Sequence, residues 1–144
     1  MRSILIVGNE TLAGPTLAQA ISERLADGPA SFHVVVPATP VGHALTWDEG
    51  EANAVAAERM EAMLDSLRAR GSQASGEVGV RDPVAAAQDA LRDREVDEII
   101  LSTLPSGPSR WLRMDAPNRL RSAVDVPVTV VTATREGAEI GGAP

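Results

Sequence analysis

Cysteine, lysine and tyrosine are missing from this chain altogether, and one phenylalanine and two tryptophans are its only large aromatic side chains. Each absence excludes a class of chemistry. Without cysteine there is no disulfide framework, no thiol redox centre and no cysteine-ligated zinc. Without lysine there is no Schiff base and no P-loop lysine, and all 13 basic residues are arginine. Phe32, Trp47 and Trp111 are too few to build the stacking platforms on which single-stranded nucleic acid lies. A net charge of −7 also repels a phosphate backbone, so no nucleic-acid partner is expected. No apolar run approaches the ~18 residues of a membrane span, so no membrane association is expected. The first ten residues, MRSILIVGNE, hold only the short run ILIVG before turning polar, which is too little for a signal peptide. A cytoplasmic location is the expectation.

What the chain does have is alternation. Its 144 residues suit one domain with a sheet covered on both faces. SILIVG (3–8) has the apolar, β-branched character of a strand buried on both sides. A polar turn follows, then Pro15 at a first helical position, an apolar stripe of Leu17, Ile21 and Leu25, and a stop at Asp27-Gly28-Pro29. FHVVVPATP (32–40) predicts a second strand ended by Pro37. A loop over 41–50 carries Trp47, and Thr46 with Glu49, or Asp48 with Glu51, could form a capping box for the next helix. That helix shows Met60, Met63, Leu64 and Leu67 on one face and Gly71 as its C-cap. ASGEVGV (74–80) predicts a third strand. Asp82-Pro83 opens a further helix, with Val84, Ala87 and Leu91 facing inward. EVDEIILST (95–103) and VPVTVVTAT (126–134) predict the fourth and fifth strands, with a last helix over 115–124 between them. The domain is expected over 1–134, and the small-residue stretch 135–144 as a disordered tail.

Strict β–α alternation implies an α/β fold, a doubly wound five-stranded parallel sheet with right-handed crossovers. Ligands in such sheets sit beyond the C-terminal strand ends, where the strand order reverses. The segments there are 8–11, 37–39, 80–82 and 102–109. They supply the candidate binding residues Gly8, Asn9, Thr11, Pro37, Ser102, Thr103, Ser106, Gly107, Ser109 and Arg110. The hydroxyls of 102–109 could hold the polar edge of a ligand, or satisfy backbone groups in a tight turn. Arg110 and Arg113 could reach a phosphate, or make ordinary surface contacts on a short helix. Trp111 with Leu112 is read as an apolar plug over this end of the sheet.

Catalytic patterns find little support. G-x-S-x-G and G-x-x-x-x-G-K-[ST] are both absent. His33, beside Phe32 at a strand start, is expected to be a structural histidine. His43, the other histidine, has Asp48 and Glu49 near it in sequence, but a metal needs three ligands in fixed geometry and no further histidine lies beside it, so no metal site is expected. Aspartyl phosphorylation of the receiver type would need an acidic cluster and a lysine, where this chain has Asn9 and Glu10 and no lysine.

These segments carry a resemblance. ILIVGNET, VRDPVAAAQDALRDREVDEIILST, SGPSRWL and VPVTVV, in that order over about residues 2–132, resemble the universal stress protein family. The resemblance implies the adenine nucleotide α-hydrolase-like fold, with strand order 3-2-1-4-5, and antiparallel dimerisation through the last strand, here 126–134. Nucleotide-binding members share a pattern of glycine, two residues, glycine, nine residues, glycine, then serine or threonine. The matching positions here are Ser102, Pro105, Met114 and Asp115, with one residue fewer between the middle pair, and none is glycine. Gly107 lies between the pattern's positions. Pro105 also removes a backbone donor. Asp115, just before a helix, is expected to cap that helix with its carboxylate and so to fill the place of a phosphate. A second anion about 4 Å from it would cost ~1–4 kcal/mol. Asn9 stands where the family has an aspartate that helps hold the nucleoside.

Three functions follow as expectations. The first is a non-catalytic, homodimeric regulatory module of the stress-response type that uses no ATP and has no cofactor, with a small molecule or protein as a further partner. The second is an ATP- or AMP-binding switch using a rearranged loop 102–110. The third is a nucleotide α-hydrolase. The enzymes of that group resemble one another in a glycine- and serine-rich first loop, which GNETLAG, with Gly8 and Gly14, lacks.

Overall fold

The computed structural model describes residues 1–38, 49–105 and 110–133. Five parallel strands form one sheet in the order β3-β2-β1-β4-β5, the expected order. The strands are β1 (Arg2–Val7), β2 (Ala30–Pro37), β3 (Gln73–Gly79), β4 (Glu98–Thr103) and β5 (Val128–Thr132). The helices are α1 (Pro15–Ala26), α2 (Glu49–Ala69), α3 (Pro83–Leu91), the single turn α4 (Arg110–Arg113) and α5 (Ala116–Ala123). No helix among the described residues is long and apolar enough to cross a membrane.

The period of two along each strand divides the apolar residues between two cores. Ile4, Ile6, Val34, Val36 and Ile100 face α1 and α2, packing on Leu17, Ile21, Ala56, Met63, Leu64 and Leu67. Leu5, Val7, Val35, Ile99 and Leu101 face the other way, onto Val84, Ala87 and Ala90 of α3 and Leu120 of α5. Ile4, Leu5 and Ile6 are fully buried, which is why the central strands read as unbroken apolar runs. Each such side chain contributes about 1.5–3 kcal/mol by leaving water.

Helix ends follow local chemistry. Pro15 opens α1. The Asp82 carboxylate accepts from the Ala85 N–H at the start of α3. Gly71, at φ +87°, closes α2: its N–H reaches Arg68 O, and the Ser72 N–H reaches Leu67 O. That pairing needs a left-handed residue. The strands begin one or two residues earlier than the sequence expectation at β1, β2 and β3, and two or three residues later at β4 and β5. β4 begins at Glu98 rather than 95 because Asp97 ends the ladder, donating its N–H to Ser3 O and accepting the Ser3 N–H on its carboxylate. β5 begins at Val128 rather than 126, with Pro127, which has no N–H, just before it. Both expected capping boxes, Thr46 with Glu49 and Asp48 with Glu51, as well as His43 and the tail 135–144, involve positions outside the described residues.

Candidate functional site at the strand-order reversal

The order reverses between β1 and β4, so a crevice would open above their C-terminal ends. Side chains of the protein meet there. Gly8 leaves β1 donating to Val35 O, and a Cβ on it would lie 3.0 Å from Leu12 Cδ2 and 3.2 Å from Ser102 Cβ. A side chain there would have to push Leu12 and Ser102 aside by a few tenths of an ångström. Thr11 Oγ1 and Ser102 Oγ are 2.5 Å apart and both residues are buried. Thr103, also buried, lies 3.5 Å from the Thr132 hydroxyl of β5.

Asn9 is held at both ends of its amide. Nδ2 donates to the Pro37 carbonyl at 2.7 Å, tying the end of β1 to the end of β2. Oδ1 accepts a hydrogen bond from Arg59 of α2. The expected site residues Gly8, Asn9, Thr11, Pro37, Ser102 and Thr103 thus converge at one end of the sheet. Asn9, Thr11, Pro37 and Ser102 are engaged with the protein's own groups there. Ser106, Gly107 and Ser109 lie outside the described residues, and Arg110 begins α4. At the third strand end, Asp82 is also engaged: it caps α3 and takes a two-point ion pair from Arg119 at 2.9 and 3.2 Å.

Arg59 is the residue the sequence reading missed. Its signal was present. It falls on the row Ala52, Ala56, Met63 of α2, all three of them buried, and a cation on a buried row needs a partner.

Asp115 corrects an expectation. It precedes α5 as its N-cap, but at φ 56° and ψ 37°, and its side chain makes no capping bond. Side-chain capping needs the extended backbone seen at Asp82, φ −78° and ψ 122°. Pro117, in the first turn, removes one of the donors a cap would use. Asp115 instead uses its main chain, donating to Leu112 O and accepting from the Arg119 N–H, and it is exposed. Its carboxylate does not sit on the α5 N-terminus. The plug at this end is apolar: Trp111 is buried in the second core beside Ala116 and Leu120.

A separate charge cluster lies at the opposite end of the sheet. Glu98, 7% exposed, accepts from Arg24 at 2.6 Å, Arg2 at 2.8 Å and Thr129 at 3.2 Å. Burial opposes ionisation of this carboxyl. Hydrogen bonds from Arg24 and Thr129, and the charges of Arg24 and Arg2, outweigh it and hold the pKa below the usual carboxylate value. The Glu98 bond raises the Arg24 pKa in turn. Among the described residues no cluster of three metal-ligating side chains occurs.

No family model and no curated protein matches this sequence. Solved structures do. A universal stress protein family structure from Burkholderia pseudomallei superposes at a TM-score of 0.57 and 16% identity, covering 89% of this chain and 94% of that one. The universal stress protein UspA from Lactobacillus plantarum superposes at 0.54 and 13% identity, covering 91% and 99%. The chain therefore has the universal stress protein fold, spanning nearly the whole of each neighbour.

Proposed function

We propose that this protein is a non-catalytic regulatory module of the stress-response type, a homodimer that acts without ATP. One observation carries the reading: at the strand-order reversal, Asn9, Thr11 and Ser102 are bonded to the protein itself. A nucleotide using the Asn9 amide would have to replace the bonds to Pro37 and Arg59. Each is worth about 0.5–1.5 kcal/mol net, more for the charged partner, so affinity falls by roughly one to two decades. Dimerisation is supported by β5. It is an edge strand, Val128 and Val130 are only partly buried, and an unpaired edge invites pairing with a second copy. Calorimetry with ATP and magnesium tests the first point, and light scattering tests the second, with a dimer of the 15.0 kDa chain expected.

A nucleotide-binding switch is the second reading, favoured by Arg59. Its guanidinium stands at the reversal point, where an anionic ligand could draw it away from Asn9.

A further inference from the structure

On the second face of the sheet, away from the strand-order reversal, the pairing register assembles a hydroxyl, an imidazole and a carboxylate. His33 of β2 pairs directly with Ser75 of β3. Glu77, two residues further along β3, lies on the same face. Ser75 Oγ is 2.8 Å from His33 Nδ1, and Glu77 Oε2 is 2.7 Å from His33 Nε2. An ionised carboxylate can only accept, so it fixes the proton of the neutral ring on Nε2. Nδ1 is then the acceptor, and the Ser75 hydroxyl points its proton at it. His33 is 5% exposed, whereas Ser75 is exposed and Glu77 half-exposed. The base is shielded and the nucleophile is open to solvent. This is the arrangement that activates a serine: a base within hydrogen-bond reach, oriented by a third group.

We propose that Ser75 is an activated serine that accepts an acyl group from a small activated ester, making it a covalent modification site on the β3 edge. In the step, Ser75 Oγ bonds to the ester carbonyl carbon while its proton passes to His33 Nδ1. The carbon–oxygen bond to the leaving group then breaks, and the leaving oxygen takes that proton from Nδ1. Glu77 holds the transient imidazolium through Nε2–H. Consecutive main-chain amides alternate in direction along a strand, and β3 is at the sheet's edge. Either the Ser75 or the Gly76 N–H therefore points outward, where it can bond the developing oxyanion. The site is independent of the regulatory reading, since it shares no residue with the strand-order reversal.

The test is stoichiometric labelling of the full chain with a fluorophosphonate and with p-nitrophenyl acetate, followed by peptide mapping. The expected result is one adduct per chain on the peptide holding Ser75, absent in Ser75→Ala. Glu77→Gln should slow labelling about tenfold or more, since it removes the charge that supports the imidazolium. Glu77 is half-exposed, so its variant keeps the test informative even where His33→Gln fails to fold. No adduct, an adduct that persists in Ser75→Ala, or a rate indifferent to Glu77→Gln would overturn the proposal.

Discussion

Thr11 and Ser102 close the seam between β1 and β4: their hydroxyl oxygens stand 2.5 Å apart, and both residues are buried. One hydroxyl satisfies the other across 91 residues of sequence. Removing either one strands its partner. Thr11→Val and Ser102→Ala should each cost about 1–3 kcal/mol in urea unfolding, the penalty for a buried polar group left without its bond. The double variant should cost clearly less than the sum, because no orphan remains. Additive losses would mean that the two hydroxyls do not depend on each other.

Asn9→Asp tests the second lock. The substitution places a carboxylate oxygen where Nδ2 now donates to the Pro37 carbonyl. Two acceptors then face each other, although Arg59 would gain a charged partner. A net loss of about 1–3 kcal/mol is expected, read by chemical denaturation. An unchanged or raised midpoint would contradict the expectation that losing the Asn9–Pro37 bond outweighs the gain at Arg59.

Acid sensitivity should trace to Glu98. Its pKa is lowered in the folded protein, so its contribution is present above the unfolded carboxylate pKa and fades as pH falls through the lower folded value. Stability should therefore drop on the acid side. Glu98→Gln should flatten that limb while costing stability at neutral pH, where Arg2 and Arg24 lose their charged partner. An acid limb of equal slope in wild type and variant would contradict the assignment.

The dimer proposal has a backbone test. The Ala133 N–H donates inward to Thr103 O, so by alternation the Val130 N–H points out to the free edge. Val130→Pro removes an outward donor and leaves the β4 ladder intact. It should give a folded monomer by circular dichroism and light scattering. A dimer that survives would place the interface elsewhere.

Much of the fold was legible in the sequence because central parallel strands carry apolar residues on both faces: ILIV of β1 and EIIL of β4 announce themselves. Asp82-Pro83 and Gly71 marked helix ends by chemistry that acts locally. What lay beyond reach depends on register and backbone. His33 was readable as a satisfied histidine, but its partners Ser75 and Glu77 follow from the β2–β3 pairing, which no local pattern encodes. Asp115 was misread because an aspartate before a helix looks like a cap whichever φ it adopts. Its left-handed backbone comes from the turn between α4 and α5. Arg59 was overlooked because a cation in an alanine-rich helix is usually solvated, and its meeting with Asn9 depends on the packing of α2 on the sheet.

Calorimetric titration of the purified protein with ATP and magnesium bears most directly on the central proposal, that the site at the strand-order reversal is satisfied by its own side chains. The proposal predicts no saturable heat up to about 100 μM nucleotide. A dissociation constant below about 10 μM, roughly −7 kcal/mol, would contradict it.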